Sequence, residues 1–478
     1  MPSFSASHLA SWTGGQWTAL PAAALTGFTQ DTRQLKDGQV FVALATDKRD
    51  GHEFLAAAQA AGASAALVSR PNASLTLPQL VAADPLRAFQ AIAREHRRRF
   101  RRPVVGITGS AGKTSTKNLL AKLLGGEPSV LATEGNLNNH IGVPLTLTRL
   151  DSAIHEFAVV EAGISEPGEM SVLGSMIEPD YGIVTLVAAA HTQELGGLAG
   201  VAREKAVLLE HVRPSGLGVF PKQCWEFGPF QDLPQTSIVV VPEGEQVNAP
   251  RVVPFSIAWT ANGTTVSLGK RRFELCRVTR GMAQNAALAL TLASELGMTD
   301  EAMQNALLDW RPAKWRGELR REAGRTLYLD FYNANPASMG DALENFDTLV
   351  SANEPRVYVI GCMEELGAES ERYHRELGQR LKPRAQDFVY VIGAQAGAVR
   401  SGAIASGAAP ARIEIVDTLE PVAARLKTFE GAVFIKGSRR YALENALPAG
   451  AGKTDTTASE PSSRASVFCE MIRQGPTC

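Results

Sequence analysis

The 478-residue sequence has few of the features that mark secreted or membrane proteins. Its five cysteines are odd in number and lack C-x-x-C spacing, which indicates neither a disulfide framework nor a zinc site. The longest apolar runs, such as residues 183–190, are about half of a membrane span. The N-terminus has no basic start followed by an apolar stretch, so it does not resemble a secretory signal. We therefore expect a cytoplasmic protein without a membrane span.

The sequence also lacks an excess of either charge. Lys and Arg number 48 against 49 for Asp and Glu, so nothing in the net charge of −1 favours a nucleic-acid partner. One basic run, residues 94–102, could bind phosphate or nucleic acid. It could equally be the solvated last turn of a helix, where cations complement the helix dipole. We favour the solvated turn.

The length predicts several domains, because ordinary domains have ~100–200 residues. Strand-like and helix-like segments alternate in three blocks, which predicts an α/β fold with parallel sheets covered by helices. The predicted parts are 1–100, 101–312, 313–447 and a small, polar, disordered tail at 448–478. Short β-like runs between residues 238 and 278, separated by Asn262-Gly263, predict a small antiparallel insertion in the second block.

The most informative motif is a glycine-rich turn between a buried strand at 104–108 and a helix at 115–124. Backbone N–H groups of such a turn surround phosphate oxygens, the lysine reaches the outer phosphates, and the threonine hydroxyl ligates Mg²⁺. The turn comprises Gly109, Ser110, Ala111, Gly112, Lys113, Thr114 and Ser115. It predicts ATP and Mg²⁺ binding, although Ile107 stands at the first glycine of the strict pattern.

A similar string at residues 450–454, which includes Lys453, lacks the strand that should precede such a turn. We assign it to the tail rather than to a second nucleotide site.

Four further segments carry a resemblance to a known family. They are residues 133–144, 332–339, 361–367 and 436–438. Together with the glycine-rich turn they resemble the Mur ligases over residues 28–445. The resemblance implies three α/β domains: a UDP-sugar domain at 1–100, a central ATP-binding domain at 101–312, and a Rossmann-like domain at 313–447 that binds the incoming amine and closes over ATP.

The segment YNANPASM at 332–339 resembles the signature of one branch of that family. That branch joins D-alanyl-D-alanine to UDP-N-acetylmuramoyl-tripeptide, in cytoplasmic peptidoglycan precursor synthesis. The resemblance implies an ADP-forming amide ligase that activates a carboxylate as an acylphosphate, which the amine then attacks. Two alternatives stay open: a ligase of the same family that adds a single amino acid, and a P-loop ATPase or regulatory module. Whether the tripeptide ends in diaminopimelate or lysine also stays open.

The resemblance also implies a metal site. Glu161 ends a strand and suits a hard cation beside Thr114. His191 matches a histidine that ligates a second metal, although a lone histidine is more often structural. Lys205 matches a lysine that becomes carbamylated and bridges toward Mg²⁺, although the sequence alone would place it on a helix surface. The resemblance therefore implies Lys113, His191 and Lys205 as the catalytic residues.

Further residues match the family's nucleotide and substrate contacts. Asn285 matches an adenine-contacting asparagine, although Gly281 stands where a histidine is usual. Arg316 matches a residue that reaches the ATP phosphates, and Asp330 one near the ribose. The implied substrate contacts are Asp31, Thr32, Arg33 and the segment 50–52 for the UDP-sugar, Asn138 and Asn139 beside it, and Asn333 and Asn335 for the dipeptide. We expect a monomer.

Overall fold

The computed structural model describes residues 2–46, 49–260, 263–322 and 324–447. The expected tail, with Lys453, and Asn262 of the expected turn lie outside these ranges. Three large sheets, of five, nine and six strands, form three units beside a small two-stranded sheet, and the predicted α/β class is confirmed. Within the described ranges, no helix is long and apolar enough to cross a membrane.

The N-terminal unit contains a five-stranded sheet in the order β1-β7-β6-β3-β2, parallel except at β1. Its longest helix, α3, begins where Asp84 accepts hydrogen bonds from the N–H groups of Leu86 and Arg87. The elements are α1 (Ala6–Thr13), β1 (Gln16–Trp17), β2 (Gly27–Thr29), β3 (Gln39–Val42), β4 (Ala45–Thr46), β5 (Arg49–Asp50), α2 (Leu55–Ala60), β6 (Ala65–Val68), β7 (Gln79–Val81) and α3 (Pro85–Arg99).

The central unit contains a nine-stranded sheet in the order β16-β15-β14-β13-β12-β11-β8-β10-β9. Buried apolar clusters cover both of its faces. The strands are β8 (Val104–Thr108), β9 (Val130–Ala132), β10 (Phe157–Glu161), β11 (Tyr181–Val184), β12 (Leu217–Pro221), β13 (Thr236–Pro242), β14 (Arg251–Trp259), β15 (Gly263–Leu268) and β16 (Arg271–Cys276). The helices are α4 (Lys113–Leu123), α5 (Gly142–Leu147), α6 (Glu169–Ile177), α7 (Thr192–Leu195), α8 (Leu198–Glu210), α9 (Lys222–Trp225), α10 (Gly228–Gln231), α11 (Arg280–Glu295) and α12 (Asp300–Leu308).

The expected antiparallel insertion is only partly right. β13 and β14 continue the parallel sheet from β12, and antiparallel pairing begins only where β14 meets β15 and continues from β15 to β16. A short apolar run does not reveal its partner strand, so the sequence could not distinguish an insertion from an extension of the same sheet.

The C-terminal unit contains a six-stranded sheet in the order β17-β18-β22-β19-β20-β21, parallel except at β17. Its elements are β17 (Glu318–Glu322), β18 (Arg325–Asp330), α13 (Pro336–Leu349), β19 (Arg356–Gly361), α14 (Ser370–Arg380), β20 (Phe388–Ile392), α15 (Ala396–Ala405), β21 (Ile413–Ile415), α16 (Glu420–Thr428) and β22 (Gly431–Lys436).

The basic run at the end of α3 is not a purely solvated turn, which corrects our expectation. Arg97 is 0% exposed. It donates to the carbonyls of Ile177, Phe100 and Glu178 at 2.8, 3.0 and 2.8 Å, and to Asp180 Oδ2 at 2.8 Å. Burial outweighs the attraction of Asp180 and lowers the pKa of Arg97 to about 10. This arginine therefore fastens the N-terminal unit to the central unit.

Candidate active site

A cleft of about 670 Å³ lies between the central and C-terminal units, at the carboxyl ends of their parallel strands. Residues from distant parts of the chain line it together. Those that the sequence singled out are Ser110, Ala111, Gly112, Lys113, Thr114, Ser115, Asn138, Asn139, Glu161, His191, Asn285, Arg316, Asp330, Asn333 and Asn335. The cleft therefore gathers most of the expected site residues in one place.

The glycine-rich turn runs directly from β8 into α4. Gly112 has a φ of +79°, and a Cβ there would come within 2.1 Å of Asn285 Nδ2. The first hydrogen bond of the helix joins Thr116 N to Gly112 O at 2.9 Å. The N–H groups of Lys113, Thr114 and Ser115 therefore lie at the helix start without an intrahelical acceptor. Glycine and free N–H groups make this turn suited to phosphate oxygens. We call residues 109–115 the phosphate-type turn.

A buried carboxylate faces the start of α4. Glu161, at the end of β10, is 2% exposed. Its Oε2 accepts from the Thr114 hydroxyl at 2.8 Å, and its Oε1 accepts from Asn138 Nδ2 at 2.8 Å. Both carboxylate oxygens are thus held in fixed positions beside the phosphate-type turn.

Two lysines of α4 balance this carboxylate. Lys113 Nζ donates to Gly109 O at 2.9 Å, and Lys117 Nζ donates to Thr133 O. Burial lowers the pKa of both lysines, while Glu161 opposes the shift. Lys117 was not predicted as a site residue, although its position four residues after Lys113 places both on one face of the helix.

His191 lies at the boundary between two units. It has a left-handed φ of +53°, and its Nδ1 lies 2.6 Å from Glu365 Oε2 of the C-terminal unit. Burial lowers the pKa of His191, whereas Glu365 raises it. Glu365 was not predicted, because its partner lies far away in the sequence.

Lys205 does not line the cleft but lies buried behind it. It is 3% exposed on α8, and no described residue accepts a hydrogen bond from its Nζ. Burial lowers its pKa well below the ordinary value, and the nearby charge of Lys113 lowers it further. The expected solvent-facing alternative is therefore wrong, and the amine is neutral more readily than an exposed lysine.

One side of the cleft is built from α11 and the start of the C-terminal unit. The Arg316 guanidinium stacks 3.9 Å from the centre of the Tyr332 ring. Asp330 Oδ2 lies 2.6 Å from Lys436 Nζ, and this lysine is only 1% exposed. Lys436 was not predicted as a site residue, yet it fixes the position of the Asp330 carboxylate.

Asn335 connects the C-terminal unit to the phosphate-type turn. Its Oδ1 accepts from Ser338 N at 2.9 Å and caps α13, while its Nδ2 donates to Ser110 O at 3.0 Å. The side chain is buried. The neighbouring Asn333 uses its Oδ1 to accept from Ala334 N at 2.8 Å. The loop therefore contacts the turn through one defined hydrogen bond.

The expected UDP-sugar residues lie outside this cleft. Asp31 accepts from Arg33 Nε at 2.9 Å and caps the following turn, and Thr32 lies in that turn. A hydrogen bond from Arg149 lowers the pKa of Glu134 in the central unit, and the charge of Lys36, shortly after residues 31–33, lowers it further. In the segment 50–52, Asp50 pairs with His52 Nδ1 at 2.6 Å. Asn139 Oδ1 accepts from Gly142 N at 2.9 Å and supports the start of α5.

Protein side chains alone do not complete a metal centre here. In the part of the chain that the structure describes, no three His, Cys, Asp or Glu side chains converge on one point. Magnesium commonly binds one or two carboxylates and takes its other ligands from waters and substrate phosphates. The donor set of Thr114 and Glu161 beside a phosphate-type turn fits that pattern.

Two family models match most of the cleft-forming chain. Residues 107–293 match the Mur ligase middle domain, and residues 315–439 match the Mur ligase, glutamate ligase domain.

Individual proteins are similar over nearly the whole length. UDP-N-acetylmuramoyl-tripeptide–D-alanyl-D-alanine ligase of Escherichia coli is 32% identical over 446 residues, which cover 89% of this chain and 93% of the relative. The ligase of the same name from Bacillus subtilis is 29% identical, covering 79% and 82% of the two chains.

Solved structures give the same result. MurF from Acinetobacter baumannii superposes with a TM-score of 0.82 at 27% identity, covering 93% of this chain and 98% of that one. MurF ligase from Thermotoga maritima in complex with ADP superposes with a TM-score of 0.75 at 25% identity, covering 88% and 96%.

Proposed function

The chain belongs to the Mur ligase family, and on that premise we propose that it joins D-alanyl-D-alanine to UDP-N-acetylmuramoyl-tripeptide with the conversion of ATP to ADP and phosphate. The observation that carries this proposal is the cleft, where the phosphate-type turn and the YNANPASM loop meet. The relatives of the same name support the choice of substrates. The peptidoglycan role follows from those substrates.

The reaction has two steps. The tripeptide carboxylate takes the γ-phosphoryl group of ATP and forms an acylphosphate, which releases ADP. The dipeptide amine then attacks the acyl carbon, an amide bond forms, and phosphate and a proton leave. Both steps place negative charge on phosphoryl oxygens, so cations and N–H donors matter more than a covalent nucleophile. Lys113 and the N–H groups at the start of α4 supply those donors in this chain.

The three units divide the substrates. We assign the UDP-sugar to residues 1–100, with Asp31, Thr32 and Arg33 at the contact, ATP to residues 101–312, and the dipeptide to residues 313–447. Asn138 and Asn139 would lie between the first two substrates. Asn285, Arg316 and Asp330 would contact the nucleotide, and Asn333 and Asn335 the dipeptide.

Thr114 and Glu161 would hold Mg²⁺, and His191 a second ion. When bound, the ions neutralise charge on the phosphate oxygens. The fixed carboxylate of Glu161, only 2.8 Å from the Thr114 hydroxyl, supports this assignment.

Lys205 would act as a carbamate. In that modification its neutral amine bonds to the carbon of carbon dioxide and releases one proton, and the buried amine with a lowered pKa supports it. Lys205→Ala should lose most activity and partly recover it with a short carboxylate such as formate. Near-normal turnover of this variant would contradict the carbamate.

We also propose that the protein is a cytoplasmic monomer. The lining residues of the cleft belong to the central and C-terminal units of the same chain, which is compatible with a monomeric enzyme. Its nucleotide and UDP-linked substrates are cytoplasmic compounds.

The proposed reaction is tested by ADP release and amide formation against a panel of UDP-muramoyl peptides with D-alanyl-D-alanine or single amino acids. We expect ADP only when a UDP-muramoyl tripeptide and the dipeptide are both present. ADP release without the amine would favour an ATPase, and amide formed only with a single amino acid would favour a sister ligase.

Lys113→Ala should lower kcat by about 10²–10³-fold, since it removes a cation aimed at the phosphoryl group. Lys453→Ala, in the similar string of the tail, is the matched control and should be silent.

A further inference from the structure

A carboxylate of the C-terminal unit occupies the space beside a glycine of the central unit. Asp341, on α13, accepts a hydrogen bond through Oδ1 from Gly281 N at 2.9 Å. A Cβ built on Gly281 would lie 2.7 Å from Asp341 Oδ2. Gly281 has no left-handed φ, so backbone strain does not require glycine at this position. The glycine instead leaves room for the carboxylate of the other unit.

This contact lies on the side of the cleft that α11 lines, where the nucleoside of the proposed ATP would bind. Gly281 precedes Asn285 by four residues, which places both on one face of α11. Asn285 Nδ2 adjoins the phosphate-type turn at Gly112, and Gly281 lies about one helical turn from Asn285 along α11. Asp341 lines the cleft together with the apolar side chains of Val278 and Met282. A nucleotide whose phosphates contact the turn would place its base in this part of the cleft.

The carboxylate has acceptor capacity left for a ligand. Its Oδ1 is used by Gly281 N, and the side chain also contacts Thr279, yet two carboxylate oxygens offer about four acceptor sites. Burial raises the pKa of Asp341, and its hydrogen bonds with Thr279 and Gly281 N oppose that shift. An N–H group of a bound base could donate a further hydrogen bond to the Asp341 carboxylate.

We propose that Asp341 selects the base of the nucleotide by accepting a hydrogen bond from the exocyclic amine of adenine. Gly281 has no side chain that could contact the base. The C-terminal unit supplies this contact instead, through Asp341. A nucleotide with a keto group at the same purine carbon would place a hydrogen-bond acceptor against the carboxylate, which is also an acceptor. Such a nucleotide would therefore bind more weakly. This inference rests on the proposed function only in taking ATP as the nucleotide.

The test is the dissociation constants of the full-length protein for ATP, inosine triphosphate and purine riboside triphosphate, measured by calorimetry without peptide substrates. These nucleotides carry an amine, a keto group and a hydrogen at the same carbon. We expect the wild type to prefer ATP by about 10- to 100-fold over both, as for loss of a hydrogen bond to a charged group. In Asp341→Asn the amide oxygen still accepts from Gly281 N, and the amide NH₂ can donate a hydrogen bond to the base. The preference for ATP over inosine triphosphate should therefore fall at least tenfold.

Two further variants keep the inference falsifiable. Gly281→Ala forces the carboxylate to move while favouring the helix, and should narrow the same preference without loss of stability. Asp347→Asn, on the same helix but paired with Arg356 away from the cleft, should change nothing. Equal weakening of all three nucleotides in Asp341→Asn, or an unchanged ratio in both test variants, would overturn the inference. Failure to form the dipeptide amide would refute the proposed reaction alone, because the binding ratio does not depend on it.

Discussion

The N-terminal and C-terminal units are attached to the central unit in different ways. At the first junction, Ala93 and Phe100 from the end of α3 belong to the same buried cluster as Val104 and Leu147 of the central unit. The buried Arg97 adds hydrogen bonds across this junction. Separating the two units would expose apolar surface and break the hydrogen bonds of a buried guanidinium, so we expect this junction to stay closed.

The second junction consists mainly of polar contacts around the cleft. Asn335 contacts Ser110, Asp341 contacts Gly281, and His191 pairs with Glu365. Outside the cleft, Arg277 donates to Thr348 Oγ1 at 2.8 Å. Such bonds exchange with water at little net cost. Attachment and the cleft are therefore separated: the first junction is apolar and buried, whereas the second is polar and lines the cleft.

The largest effect should come from Arg97→Ala at the first junction. The change removes the donor to three backbone carbonyls and one of the donors to Asp180, which still accepts from Val104 N at 2.9 Å. We expect the free energy of unfolding to fall by about 3–5 kcal/mol, because each buried acceptor left unpaired costs about 1–3 kcal/mol. Urea denaturation measures this, and a loss below about 1 kcal/mol would remove the distinction between the junctions.

An intermediate effect, on catalysis rather than stability, should come from Asn335→Asp at the second junction. The carboxylate keeps the cap of α13 through Oδ1 but has no donor for Ser110 O. We expect kcat/KM to fall about 10- to 100-fold, the equivalent of one lost buried hydrogen bond, with the fold retained. The control is Ser338→Ala, which removes its hydroxyl bonds with the Asn335 backbone and leaves Ser110 untouched. Normal turnover of Asn335→Asp would show that this junction is not needed for chemistry.

The smallest effect should come from Arg98→Ala, one residue after Arg97. Its guanidinium also crosses the first junction, 2.6 Å from Glu178, but the side chain is 48% exposed. Water screens such a pair, so we expect at most about 1 kcal/mol of destabilisation in the same urea experiment. Equal losses from Arg97→Ala and Arg98→Ala would mean that net charge, rather than burial, fastens the junction.

Much of the fold could be predicted from the sequence. The strand predicted at 104–108 is β8, and the strand predicted to end at Glu161 is β10. Both are short apolar runs whose burial on both faces is typical of a parallel sheet. The apolar run at 183–190 is only partly a strand, because β11 ends at Val184 and the run continues as a loop. The same ambiguity produced the wrong account of β13 and β14.

The candidate site was predictable where its residues are contiguous. Residues 109–115 form the phosphate-type turn because glycine, lysine and threonine in one short string set the backbone and the charge locally. The resemblance extended this to single residues such as Asn285, His191 and Asn335, which the tertiary structure then placed around one cleft.

The sequence by itself therefore determined the α/β class, the nucleotide turn and the family, because these depend on local periodicity and short motifs. Only the tertiary structure decided that Arg97 is buried, that Lys205 lies behind the cleft, and that Glu365, Lys436 and Asp341 complete the surroundings of His191, Asp330 and Gly281. The burial and pairing of a charge depend on chain segments that meet only after folding. Asp341 lies 60 residues from Gly281 in the sequence, and no local pattern carries that contact.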